Sequence, residues 1–239
     1  MKWHFEDFVY GSIDGSVTTF AIVAGAIGAS LSPMVILILG FANLFADGFS
    51  MAIGNYQASK TRIEFIQKER KREEWEIENM GESEKQEIRD IYTKKGFTSD
   101  LLEEIVRVIT ARKKIWIDTM MKEELGLIEE MMKEELGLIE DGRKPVDTAL
   151  STFFGFNIIG LIPLIPFVFL YTAGWSVSVS DSFLYSVIFT CGAFFLIGII
   201  KGKIVKKSLF RSGLTTLMVG GIAATVAYVV GYLLSYFIK

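Results

Sequence analysis

The sequence predicts an all-α membrane protein, with five transmembrane helices and a cytoplasmic three-helix insert between the second and third. Two observations carry this reading. Hydrophobic residues make up 51% of the 239 positions and charged ones 22%, yet 41 of the 53 charged residues fall between Ser59 and Thr148. Apolar and charged content are therefore segregated, as they are when flanking segments sit in lipid and a middle segment sits in water. In addition, five apolar stretches are long enough to cross roughly 30 Å of hydrocarbon, which takes about 20 helical residues. The expected organisation is residues 1–58 for the first two spans, 59–148 for the soluble helical insert and 149–239 for the last three spans.

The spans run Phe8 to Leu31, Pro33 to Ala58, Ala149 to Tyr171, Ser182 to Ile200 and Ser212 to Ile238. The first is not read as a cleavable leader, because it carries Asp14 and passes through Ser32-Pro33 straight into the second, forming a tight hairpin. Span two continues without a breaker as the charged helix Thr61–Asn79, until Met80-Gly81 stops it. Ser83 followed by Gln86 reads as a capping box for a short helix up to Lys94. Gly96 ends that helix, Thr98-Ser99-Asp100 caps another running toward Ile139, and Lys144-Pro145 closes the insert. Pro163 and Pro166 are expected to kink span three where neighbours can satisfy the freed backbone. The insert holds 18 Lys and Arg and the loop from Lys201 to Arg211 five, whereas Ser32 and the Thr172–Asp181 turn hold none. Positive residues stay in the cytoplasm, so the N-terminus and insert are placed inside and the C-terminus outside.

An eleven-residue segment starting at Met120 repeats from Met131 with ten of eleven positions identical. Eleven residues make three helical turns plus about 20°, so a continuous helix would show both copies on nearly one face.

Composition excludes several functions. The net charge of −3 is spread over a mixed-sign insert and offers no basic stripe for DNA or RNA. Cys191 is the single cysteine and His4 the single histidine, so a thiolate cage, an imidazole zinc site and a Ser/His/Asp triad lack raw material. No nucleophile–base pair suggests an enzyme, and the sequence has no GxxxxGK(S/T) loop to bind ATP, so transport would run on a gradient unless a partner supplies ATP.

Asp14 in span one and Asp47 in span two are costly in hydrocarbon, at about 2.5–3.5 kcal/mol each near the centre of a span, and no Lys or Arg accompanies them there. Asn43, Asp47 and Met51 follow at i, i+4 and i+8, one stripe of a helix. The plain reading is mutual satisfaction between helices, helped by the small residues Gly11, Gly15, Gly25, Gly28, Gly48 and Gly54. Gly11 and Gly15 have the spacing of a helix-pairing face. The functional reading is a cation path. In the insert, Glu73 with Glu76, and Glu84 with Glu87, form i, i+3 pairs that the Met80-Gly81 break lets oppose each other, and Met120, Met121 and Glu124 add sulfur and oxygen. Carboxylates suit hard divalent ions and thioethers shift preference toward softer ones such as Fe²⁺. Solvated glutamates and packed methionines are the plain alternative.

Four segments also resemble a known family: Asp14-Gly-Ser-Val-Thr-Thr-Phe-Ala-Ile-Val-Ala-Gly25, the run Ala42 to Tyr56, the run Trp116 to Leu127, and Gly160-Leu-Ile-Pro-Leu-Ile-Pro166. In order and across the chain, they are similar to the vacuolar iron transporters, which include nodulin-21-like and prokaryotic members. The resemblance implies a homodimer of five-helix protomers in lipid, exporting Fe²⁺ or related divalent ions such as Mn²⁺ from the cytosol in exchange for protons, with no permanently bound cofactor. It implies an ion path between protomers lined by Asp14 and Met51. It also implies a metal-collecting set that falls on Glu73, Glu76, Glu84, Glu87, Met120, Met121 and Glu124. Some members carry Glu where this chain has Asn43, which would move the proton-coupling carboxylate to Asp47. The first copy of the repeat is the expected ligand set, with Met131, Met132 and Glu135 as an alternative or added one. A prokaryotic plasma membrane is the expected host. The rival from another class is a non-transporting membrane metal sensor or scaffold whose insert binds a partner.

Overall fold

The computed structural model describes residues 4–124, 144–172 and 178–238, and every regular element among them is helical. In chain order these are α1 (Phe5–Gly28), α2 (Pro33–Asn79), α3 (Gly81–Lys94), α4 (Ser99–Thr110), α5 (Lys113–Glu123), α6 (Pro145–Gly160), a 3₁₀ turn (Ile162–Leu164), α7 (Ile165–Thr172), α8 (Val179–Ile204) and α9 (Leu209–Ile238). Five helical segments are long and apolar enough to cross a membrane: Phe5–Gly28, Pro33–Asn79, Pro145–Leu170, Val179–Lys203 and Leu209–Phe237. The chain packs as two units, Met1–Gln57 with Lys144–Lys239, and Ala58–Arg143.

In the first unit α1 is the central helix, packed on α6 and α9. Close approach explains the choice of partner. A Cβ on Gly11 would stand 2.2 Å from the Thr152 carbonyl oxygen, one on Gly15 2.3 Å from that of Phe156, and one on Gly155 2.2 Å from that of Phe8. Backbone therefore touches backbone along α1 and α6, the arrangement small residues permit where lipid offers no hydrophobic drive. Gly28 meets Tyr228 of α9 in the same way, at 2.3 Å from its carbonyl oxygen, while a Cβ on Gly54 would meet nothing within 4 Å. A short turn after Gly28, with Ser30 at φ 56°, links α1 to α2. The link is as tight as expected, but α1 spends its closest contacts on α6 and α9. α2 joins the core through side chains, with Ile36 and Leu44 buried against Val23, Ala26, Phe156, Leu164 and Phe167.

The expected kink in span three is a 3₁₀ turn over Ile162–Leu164 that divides α6 from α7. The buried Ser186 hydroxyl on α8 donates to the Pro163 carbonyl at 2.7 Å, the kind of neighbour a proline-broken helix needs in lipid.

In the second unit, α2 ends at Asn79, as the Met80-Gly81 break predicts. The capping box does not form. α3 starts at Gly81, Met80 occupies the cap position with no side-chain bond, and the Ser83 and Glu84 amides already donate to the Met80 carbonyl. Gln86 reaches forward instead, donating to Asp90 at 2.9 Å. Thr98 stands at the cap of α4 but makes no side-chain cap bond. The helix expected from Ser99 toward Ile139 is broken at Ala111–Arg112, where α4 gives way to α5. A straight helix across α4 and α5 would outrun the 14-residue α3, which is only about 21 Å long. The break folds both apolar halves onto one core of Ile88, Val106, Ile109, Trp116 and Met120. Ion pairs tie the elements: Arg70 to Asp118 at 2.7 Å and Arg89 to Glu103 at 2.8 Å, with Lys113 bridging to Glu74 at 2.7 Å.

Candidate functional site

In the membrane-spanning unit, a polar stripe runs along α2. Asn43, Asp47 and Met51 lie along α2 on successive turns, each half-buried, and Asp14 lies half-buried on α1. Asp47 lies near enough to Asp14 for its charge to act there. The Asn43 amide nitrogen is buried with no hydrogen-bond partner. Met51 packs against the apolar core that holds Leu44 and Phe156.

The stripe continues one turn further than the sequence reading took it. Asn55, four residues after Met51, donates to Asp7 at 2.9 Å and to Thr152 at 2.7 Å. Asp7 is seven residues before Asp14, two turns along the same face of α1. The other Asp7 carboxylate oxygen and the His4 Nε2 are buried without partners, and the His4 backbone amide donates to Ser151 at 3.0 Å. Asn55 extends the Asn43, Asp47 and Met51 spacing by one step, and Asp7 lies two turns before Asp14, so the same spacing reaches both.

In the insert, glutamates from three helices share one neighbourhood. Glu73 on α2 is fully buried and Glu84 on α3 is 4% exposed, and one carboxylate oxygen of each has no hydrogen-bond partner. Glu76 and Glu87 are half-buried beside them, and Glu124 caps α5 at the solvent-facing edge. Burial, followed by the charges of Glu87, Glu73, Glu76 and Glu124, pushes the Glu84 pKa up to about 7. Glu73 is also raised, chiefly by burial, against the opposing hydrogen bond from Arg72. Glu124 is raised by partial desolvation first and then by Glu73 and Glu87. These shifts share two causes: partial removal of the carboxylates from water, and the crowding of negative charge. Among the described residues no three His, Cys, Asp or Glu side chains stand close enough to hold a single ion as they are, so the glutamates are gathered without forming a closed cage.

Met120 is fully buried in the apolar core of the insert, and Met121 is 1% exposed. The second copy of the repeat, with Met131, Met132 and Glu135, lies outside the described residues.

Residues 5–232 match the VIT family. The chain belongs to that family. VIT-family membership agrees with the resemblance carried by the four segments, and it extends over nearly the whole chain. Over 228 residues this VIT chain is 39% identical to a protein of Toxoplasma gondii named vacuolar iron transporter, covering 95% of this chain and 72% of the relative. A vacuolar iron transporter of Plasmodium falciparum is 34% identical over 235 residues, covering 98% and 83%. The vacuolar iron transporter 1 of Oryza sativa is 32% identical over 223 residues, covering 93% and 82%.

Proposed function

We propose that this VIT-family chain is a proton-coupled exporter of divalent transition metal, with Fe²⁺ as the principal substrate and Mn²⁺ as a second. The observation that carries the reading is the pair of buried, partnerless carboxylate oxygens on Glu73 and Glu84, inside a cluster that Glu76, Glu87 and Glu124 complete. Buried carboxylate without a partner is costly, and a dehydrating dication is the group whose arrival repays it. In this reading Glu73, Glu76, Glu84, Glu87 and Glu124 collect the ion, and the Met120 and Met121 thioethers bias the site toward softer metals once the Met120 side chain turns from the core. Asn43, Asp47, Met51 and Asp14 then carry the ion across, and α2 bears residues of both sets.

Proton coupling follows from the same groups. A protonated carboxyl is a poor ligand, so protons entering at Asp14 and Asp47 from the outer side release the metal, and inward proton flow drives outward metal flow. With Asn43 in place of a carboxylate, Asp47 carries the proton in span two. The insert faces the cytosol and the C-terminus the opposite side, in keeping with the Lys and Arg distribution. Two protomers face each other across the path. The relatives' names place them at vacuoles; for this chain a prokaryotic plasma membrane is the host proposed, and either puts the insert in the cytosol.

The test is a pair of variants, Asp14→Asn and Met51→Ala, in cells challenged with Fe²⁺ or Mn²⁺. Transport predicts lost metal tolerance and lost uptake into proteoliposomes. A membrane sensor or scaffold predicts unchanged tolerance in both.

A further inference from the structure

We propose that Arg72 is the resident counter-cation of the insert's carboxylate cluster and must be displaced before a divalent ion can load. The inference rests on the collector reading given above. Arg72 lies at i+3 from Glu69, beside Glu73 and four residues before Glu76, and its guanidinium contacts all three. The distances are 2.9 Å from Nη1 to Glu69 Oε2, 3.2 Å from Nη2 to Glu73 Oε1, and 3.5 Å from Nε to Glu76 Oε2.

The burial is lopsided. The side chains of Glu69 and Glu73 are 8% and 0% exposed, whereas that of Arg72 is 44% exposed. A buried layer of carboxylates is thus covered by a cation that can swing into water with little desolvation cost. Coverage is also incomplete: the guanidinium reaches acids on its own helix only, and the second oxygens of Glu73 and Glu84 stay unpartnered. Arg72 contacts Glu69, Glu73 and Glu76, and no contact from it to Glu84, Glu87 or Glu124 is seen among the described residues. A dication brings twice the charge and, once the side chains close in, can bond acids from α2, α3 and α5 together.

Arg cannot vacate the site by losing its proton. It must move, and the energy of moving it is subtracted from the binding of every incoming ion. That cost leaves ratios between metals unchanged, but it raises all dissociation constants together. Abundant, weakly held ions such as Mg²⁺ are thereby kept off, while tightly held transition metals still load.

The experiment uses the full-length chain in detergent at pH 8, titrated with Mn²⁺ alone by calorimetry, with thermal unfolding of the metal-free forms in parallel. Arg72→Gln is expected to bind Mn²⁺ about tenfold more tightly, since a positive charge a few ångströms from the ion is gone, and to unfold at lower temperature without metal. Arg72→Lys keeps the charge but loses the three-way fork, so about threefold tightening is expected, and it serves if the Gln form does not fold. Unchanged or weaker Mn²⁺ binding in these variants would overturn the inference and make Arg72 an organiser of the acids, leaving the collector reading intact. If the wild-type chain binds no Mn²⁺, the collector reading falls and takes this inference with it.

Discussion

The side-chain amide of Asn55 on α2 hydrogen-bonds the carboxylate of Asp7 on α1 at 2.9 Å, and the same nitrogen reaches Thr152 on α6 at 2.7 Å. One side chain therefore ties together three helices that cross the membrane. Removing it leaves Asp7 with neither oxygen satisfied by a bond seen here, its other oxygen being buried and unpartnered already. Asn55→Ala is expected to lower stability by about 1–3 kcal/mol, and Asn55→Asp by more, because it sets a second carboxylate against Asp7. Thermal unfolding in detergent measures both. An unchanged midpoint for both variants would mean the contact contributes nothing.

Two glycines inside membrane-spanning helices, Gly15 on α1 and Gly54 on α2, should respond oppositely. Gly15→Ala puts a methyl 2.3 Å from the Phe156 carbonyl oxygen, so α1 and α6 must separate, whereas Gly54→Ala meets nothing within 4 Å. The first is expected to cost about 1–3 kcal/mol or more. The second should be neutral or stabilising by about 0.5–1 kcal/mol, the usual gain from Ala inside a helix. The paired unfolding curves decide it: similar losses at both positions would show that close helix contact is not what Gly15 provides.

How much of this was legible in sequence depended on the scale of the signal. The five spans and the end of α2 could be read because runs of about 20 apolar residues and a Met80-Gly81 break are strong signals. The Ala111–Arg112 break could not, since no Gly or Pro marks it and only the shortness of α3 forces the fold-back. Ser83 had the right spacing for a cap, but α3 begins two residues earlier and consumes its amide. Asp14, Asp47 and the insert glutamates stood out by cost and spacing. Asn55 and Asp7 obeyed the same spacing yet lie at the ends of their spans, where polar residues attract no notice. Arg72 was one of 18 basic residues in the insert, and only its three short contacts distinguish it.

The Glu84 pKa, pushed up from 4.5 to about 7, fixes the sign of two pH effects. A carboxyl that holds its proton more tightly folded than unfolded favours the fold while protonated. Its contribution is therefore full below about pH 4.5 and is lost as the pH rises to 7. Metal-free protein is expected to lose stability across that window, and Glu84→Gln to flatten the curve, gaining roughly 1–3 kcal/mol above pH 7. Metal binding runs the other way. Protons compete below pH 7, so Mn²⁺ affinity should fall about tenfold from pH 8 to pH 6, with proton release on binding. Calorimetry in buffers of different ionisation enthalpy reads both, and a pH-independent affinity would contradict the collector site.

The most direct test of the central claim is Fe²⁺ flux into liposomes holding the purified chain, with an internal pH indicator and a pH gradient set in either direction. The account predicts that metal entry rises when the lumen is acidic, that entry discharges the gradient, and that Asp14→Asn and Asp47→Asn abolish both signals together. Metal entry that ignores the gradient and moves no protons would contradict it.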